Sequence, residues 1–219
     1  RGQPRTRRHA LPSRRRFLLG GTAIGAVLAV PGVLFAAASP KAVKGASAFI
    51  SDLARRAIAI LQSSGGKLET REAQFRVLLS NGFDMPFIAR FVLGKHWRKA
   101  TPQERADYIK LFTKFILKSY SRRMGGYSGE IFNVAGASAA GKKDVMVKTS
   151  IVQPSGPSIK ANWRVRPLNG EYKIIDIMVE GVSMAVTQRS EFNAVVRRRG
   201  MQGLLQTLRA RTEKFGVAS

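Results

Sequence analysis

One stretch of the chain gathers residue types that could do chemistry: IIDIMVEGVSMAVTQRSEF, residues 174–192. It holds three of the 13 acids in the 219-residue chain, Asp176, Glu180 and Glu191, together with Ser183 and Arg189. A serine beside acids suggests a nucleophile, and a carboxyl in an apolar pocket can be tuned to act as a general base. Partners for such chemistry are scarce. The chain has no cysteine and two histidines, so a Ser-His-Asp triad or a histidine metal site would rest on His96, since His9 lies in the N-terminal leader. Ser183 stands in E-G-V-S-M rather than G-x-S-x-G. Gly20-Gly21 and Gly125-Gly126 lack the flanking spacing of a phosphate loop or dinucleotide fingerprint. What remains is carboxylate chemistry by Asp176 or Glu180.

A structural reading competes for the same residues and outweighs the catalytic one. Gly181 permits a sharp turn where a strand becomes a helix, and Ser183 is a natural helix cap. Thr187 and Arg189 can bond back to the strand end, and Asp176 can pair with Arg189 or with a basic strand neighbour. Asp176, Glu180, Gly181, Ser183 and Arg189 are then a junction rather than a catalytic site.

The elements that would hold this junction are legible in the periodicity. Ala46, Phe49, Ile50, Leu53, Ala57, Ile60 and Leu61 recur at helical spacing over 41–62, and SSGGK at 63–67 ends that helix. Thr70 is placed to cap a second helix ending at Asn81. Asp84-Met85-Pro86 opens a short helix that Gly94 closes. Thr101-Pro102-Gln103-Glu104 is a capping box for a helix running to about Met124, with Tyr108, Leu111, Phe112 and Phe115 as its apolar stripe. Beyond Gly125-Gly126 the period changes to two. Four strands are predicted, at 129–135, 145–151, 159–166 and 171–180, separated by turn residues in GKKD, PSGP and PLNG. Helices over 183–198 and 201–212 close the chain. The fold class is α+β: helices, a four-stranded antiparallel sheet, then helices.

Charge and the N-terminus bound the setting. Lys and Arg number 38, for a formal net charge of +25, while 44% of residues are hydrophobic. Residues 1–16 carry seven arginines and no acid. Phe17–Pro40 is uncharged, and Ala36-Ala37-Ala38 offers a small-x-small cleavage site. Ser13-Arg14-Arg15-Arg16-Phe17-Leu18 resembles a twin-arginine export motif. Residues 1–38 therefore read as a cleaved leader, its Gly and Pro content weighing against a membrane anchor, and 39–219 as one domain. Removing seven charges from +25 leaves +18. Outside the cytoplasm such a surface meets lipid headgroups and acidic protein faces, not nucleic acid. Lys110, Lys114, Lys118 and Arg122 recur every four residues, as a solvated face or a docking stripe.

Aromatic residues concentrate where helices face the sheet. Alternation and stripe phase place Phe83, Phe87, Phe91, Leu111, Phe112, Phe115, Val147, Ile151, Trp163, Val165, Val179 and Met184 around that space. It is either an ordinary core or an apolar ligand pocket.

Four segments carry a family resemblance: FVLGKHWRKATPQERADYIKLF at 91–112, Tyr127-x-Gly129-Glu130, the opening stretch, and Gly200-Met201-Gln202-Gly203-Leu204 before the last helix. Over about residues 42–212 the chain resembles the MlaC family of toluene-tolerance and periplasmic phospholipid-binding proteins. The resemblance implies a mixed fold related to the NTF2-like cone, holding phospholipid acyl chains between sheet and helices. It implies a soluble periplasmic monomer with no cofactor, metal or catalytic residue. Its partners would be an outer-membrane lipoprotein complex and an inner-membrane ABC transporter with an MCE-domain subunit, between which lipid is shuttled to keep the outer membrane asymmetric. A hopanoid-type cargo is a variant of that reading. An NTF2-like enzyme using Asp176 or Glu180 as base is the alternative.

Overall fold

The computed structural model describes residues 38–63, 67–121 and 127–217. The predicted leader, apart from Ala38, and Arg122 of the basic stripe lie outside the described residues.

Ser39 caps the first helix, α1 (Pro40–Gln62), by accepting from the Ala42 N–H at 3.2 Å, and Pro40 occupies the first turn. Its buried stripe is Ala46, Ile50 and Leu53. Gly45 lets α1 approach the sheet, since a side-chain carbon there would collide with the Tyr172 hydroxyl. The next helix, α2 (Leu68–Gly82), begins earlier than predicted. Thr70 is not its cap: the Thr70 N–H already donates to the Lys67 carbonyl at 3.0 Å, inside the first turn.

The third helix, α3 (Met85–Leu93), forms as its sequence directs. Asp84 Oδ1 accepts from the Phe87 N–H at 3.0 Å, and Gly94 ends the helix at φ 57°. A 3-10 turn, Gly94–Arg98, leads to α4 (Pro102–Ser121). The α4 capping box is reciprocal: Glu104 N–H donates to Thr101 Oγ1 at 3.1 Å, and Thr101 N–H donates to Glu104 Oε2 at 2.9 Å.

The strands are β1 (Ile131–Ala140), β2 (Asp144–Val152), β3 (Ile159–Leu168), β4 (Glu171–Val179) and β5 (Val182–Ser183), an antiparallel meander in chain order. The sequence predicts four. The fifth is a two-residue return, too short to show as alternation, reached through Glu180 (φ 48°) and Gly181 (φ 81°). Two successive positive φ values are what a two-residue hairpin turn requires. β1 also outruns its predicted end at 135, because a bulge between Val134 and Gly136 absorbs Ala135 and pairing resumes. A second bulge, at Ile175 between the pairs Arg164↔Asp176 and Val165↔Ile174, breaks strict alternation and buries Ile174 and Ile175 together. The closing helix, α5 (Met184–Val217), consists of two helical segments across Gly200, at φ 66° and ψ −175°, a conformation nearly restricted to glycine. That break falls where the sequence separates 183–198 from 201–212.

Two cores result. One is helical, with Phe192 of α5 against Tyr108, Phe112 and Phe115 of α4 at ring separations of 6.1–6.4 Å, and with Leu204, Leu205 and Leu208 beneath. Tyr108 is buried there with its hydroxyl donating to the Ala89 carbonyl at 3.1 Å, and burial pushes its phenol far above the usual range. The other core joins α1 and α2 to the inner sheet face through Ile50, Leu53, Phe75, Leu78, Val145, Val147, Val165 and Ile174. Phe83, between α2 and α3, packs against both.

The far end of the sheet is tied by a buried carboxylate. Asp144, with 4% of its side chain exposed, accepts from Arg164 Nε at 2.8 Å and from Arg166 Nε at 2.7 Å. Asp144→Ala leaves two guanidinium groups to be rehydrated. It is expected to lower unfolding free energy by about 2 kcal/mol, read as a lower urea midpoint at unchanged slope. Asp144→Asn, which keeps an acceptor, is expected to lose less.

Candidate functional site

The inner sheet face is wider than the helices that cover it, and the space left over forms two apolar cavities. The larger, about 380 Å³, is roofed by α1 and α2 through Ile50, Leu53, Ala54, Ala57, Ile58, Leu61, Phe75, Leu78 and Leu79. Its floor is Phe132, Ile151, Ile159 and Trp163 of β1–β3. Alanine at 54 and 57, among the larger Ile50, Leu53, Ile58 and Leu61 of the roof, leaves room over Phe132 and Trp163. The smaller cavity, about 170 Å³, lies among α3, α4, the start of α5 and β4, against Met85, Ile88, Val92, Phe112, Ile116, Tyr120, Ile177, Met184 and Ala185. Phe75, Leu79, Phe83 and Trp163 line both and form the partition between them.

The polar groups in these walls are few and placed. Trp163 donates its indole N–H to Thr149 Oγ1 at 3.0 Å, and that hydroxyl donates to the Ala161 carbonyl at 2.6 Å, so the partition carries no unpaired indole. The polar lining of the larger cavity is Tyr127, Glu130 and Gln153, where β1 begins and β2 ends. Gln62 at the end of α1 donates to Tyr127 Oη at 3.2 Å. The Ser128 N–H donates to the Glu130 carboxylate at 3.0 Å and, with the Ser128 hydroxyl, holds its pKa below the usual range. Glu130 is therefore anionic at neutral pH. Asp176 and Gln188 are the polar residues of the smaller cavity besides Tyr120. Among the described residues no lysine or arginine lines either cavity. The arrangement can take up apolar chains and offers polar groups at one end.

Five residues expected around a pocket line these cavities: Phe83, Phe112, Ile151, Trp163 and Met184. Phe115, Val147 and Val165 are instead buried core, and Leu111 packs at the edge of the helical core. Val179 is half-buried beside Ala161 and is absent from both linings. Phe87 and Phe91 do not face the space between helices and sheet: each lies beneath an arginine, Arg166 at 4.5 Å and Arg189 at 5.2 Å from the ring centroids. The α3 helix is rotated to bury Met85, Ala89 and Val92, which turns positions 87 and 91 outward. Sequence reasoning missed the α1 and α2 walls. The signal available was the pair of alanines in the α1 stripe.

The stretch at 174–192 is a junction with different bonds from those expected. Asp176 pairs with neither Arg189 nor a strand cation. Its carboxylate accepts from the Ser183 hydroxyl at 2.6 Å and the Ala185 N–H at 3.0 Å, because the β4–β5 return brings the start of α5 directly over it. Ser183 Oγ accepts from the Val186 N–H at 3.1 Å and caps α5. The Glu180 carboxylate reaches across to the Lys160 N–H at 2.6 Å, pinning β3 to the turn. Arg189 lies over Phe91 and Gly94 rather than at the strand end. His96 bonds Asn193 Oδ1 through Nε2 at 2.7 Å, joining the 3-10 turn to α5. Among the described residues no His, Asp and Glu cluster could hold a metal. Of the basic stripe, Lys110 and Lys114 are exposed, while Lys118 donates to the Thr212 carbonyl of α5 at 3.4 Å.

Known proteins share this sequence pattern and this fold. The family model described as MlaC protein matches residues 51–210. The intermembrane phospholipid transport system binding protein MlaC of Haemophilus influenzae is 20% identical over 153 residues, 66% of this chain and 72% of that protein. The toluene tolerance protein ttg2D of Pseudomonas putida is 23% identical over 106 residues, so this chain spans about half of it, 49%, with 48% of its own length. Among solved structures, the phospholipid-binding protein from Ralstonia solanacearum, in complex with a phospholipid, superposes with a TM-score of 0.69 at 20% identity, covering 78% of this chain and 98% of that one. The family match runs from within α1 to the second segment of α5 and takes in most of the walls of both cavities, and on that match the chain belongs to the MlaC family.

Proposed function

We propose that the protein is a periplasmic phospholipid carrier. The observation that carries the proposal is the pair of adjoining apolar cavities, lined by no basic side chain among the described residues, with polar groups gathered at the β1–β2 end of the larger one. Such a cavity removes acyl chains from water while a charged headgroup stays hydrated, and burial of a chain stabilises by about 0.8 kcal/mol per methylene. The name of the related Haemophilus influenzae protein, and the phospholipid held by the structural relative, support the same cargo. On this reading the leader directs export and is removed. The domain then passes lipid between an outer-membrane lipoprotein complex and an inner-membrane MCE-domain ABC transporter, and so helps to keep the outer membrane asymmetric.

Catalysis has weaker support. Asp176 lines the smaller cavity, which is where a carboxylate base would stand. Both of its oxygens, however, are engaged by Ser183 and Ala185, and Glu180 is exposed and bonded to Lys160.

Two measurements test the proposal. Ala57→Trp fills the larger cavity from its α1 roof. It is expected to lower the affinity for a fluorescent phospholipid about tenfold or more, while stability changes by no more than about 3 kcal/mol. Unchanged affinity in a folded variant would place the cargo elsewhere. Asp176→Asn with Glu180→Gln is expected to leave vesicle-to-vesicle lipid transfer intact while lowering stability by about 1–2 kcal/mol through weakened junction bonds. Loss of transfer with retained fold and occupancy would favour the enzyme.

A further inference from the structure

Away from the cavities, arginines and aromatic rings form a continuous ribbon. It begins at Asp144, whose partner Arg166 also lies over Phe87 at 4.5 Å. One turn along α3, Phe91 is 37% exposed beneath Arg189 at 5.2 Å. Arg189 also covers Gly94, the first residue of the 3-10 turn, where a side chain would meet its Nε at 2.9 Å. Three residues on, Trp97 lies between Arg90 at 5.8 Å and Arg105 at 5.3 Å. Lys95, Arg98 and Lys99 flank it, all exposed.

The electrostatics of this ribbon are one-sided. Asp144 answers Arg164 and Arg166. The other nearby acids are engaged locally: Asp84 caps α3, and Glu104 closes the α4 capping box and accepts from Gln202. Arg90, Lys95, Arg98, Lys99, Arg105 and Arg189 have no ion pair among the described residues. Arg105 is held instead by the Trp97 and Arg98 carbonyls, at 2.9 and 3.3 Å, which fixes it against the indole. A ring under a guanidinium orients it while leaving its outward N–H groups free to bind an anion.

We infer that this ribbon is a docking surface for an anionic bilayer. An extended plane of phosphates matches six unneutralised cations spread over α3, the 3-10 turn and the starts of α4 and α5, with no fitted geometry needed. A partly buried tryptophan and an exposed phenylalanine suit the interfacial layer, where amphipathic and aromatic side chains settle. An acidic protein face would supply matched carboxylates but has less use for the rings. The inference does not depend on what the cavities hold.

Vesicle co-sedimentation tests it, with phosphatidylcholine vesicles with and without phosphatidylglycerol, at low and physiological salt. The unaltered domain is expected to bind the anionic vesicles only, less so as salt rises. Combining Arg90→Gln, Lys95→Gln and Arg189→Gln should reduce that binding about a hundredfold, and Phe91→Ala should reduce it by a smaller factor. The charge-matched set Lys41→Gln, Lys44→Gln and Lys67→Gln, on α1 and before α2, should leave most of the binding in place. Equal losses in the two triple variants would overturn the surface, reducing it to net charge. So would failure of the unaltered domain to bind anionic vesicles, and salt-sensitive retention on immobilised polyglutamate alone would assign the ribbon to an acidic protein. Lipid co-purifying with the ribbon variant, weighed by mass spectrometry, separates failure of the ribbon from failure of the carrier reading.

Discussion

The structure turns on an imbalance of surface: a twisted sheet presents an apolar inner face that its helices cover but do not fill. Val145, Val147 and Val165 are closed off by α1. Phe132, Ile151, Ile159 and Trp163, farther along the strands, face a roof in which Ala54 and Ala57 interrupt the larger side chains. Interiors pack close to crystal density, and a void lined by aliphatic side chains forfeits contacts on every wall. Such a space persists only when the surrounding elements are held apart. Here Phe83 does so, wedged between two cores and held in place by the Asp84 N–H, which donates to the Ile174 carbonyl of β4 at 3.0 Å.

The junction serves the same end. Asp176 fastens the start of α5 to β4, and Glu180 fastens the turn to β3, so one end of the sheet is bonded to the wall carrying Met184 and Ala185. At the other end Asp144 collects two arginines. Acids are few in this chain, and these three act as ties within a basic molecule. That accounts for their position in or beside apolar strands without calling on catalysis.

Much of the fold is legible from local rules, because those rules are satisfied locally. The capping box at Thr101–Glu104, the Asp84 cap and the break at Gly200 each appear where the sequence places them. The features that are not legible depend on tertiary choice. The bulge at Ile175 changes which residues face inward, and alternation has no term for it. The rotation of α3 is set by packing against α4 and α5, so Phe87 and Phe91 look like pocket residues in sequence and lie under arginines in the fold. The cavity walls were half legible for a related reason. Periodicity says which face of α1 is apolar; it does not say where the opposing sheet stands too far away to be touched.

The central claim is that the space between these cores holds lipid. The most direct measurement is organic extraction of the purified domain followed by quantitative mass spectrometry. Near-stoichiometric phospholipid is the predicted result. A domain that emerges empty, and that takes up no phospholipid from vesicles, would contradict it.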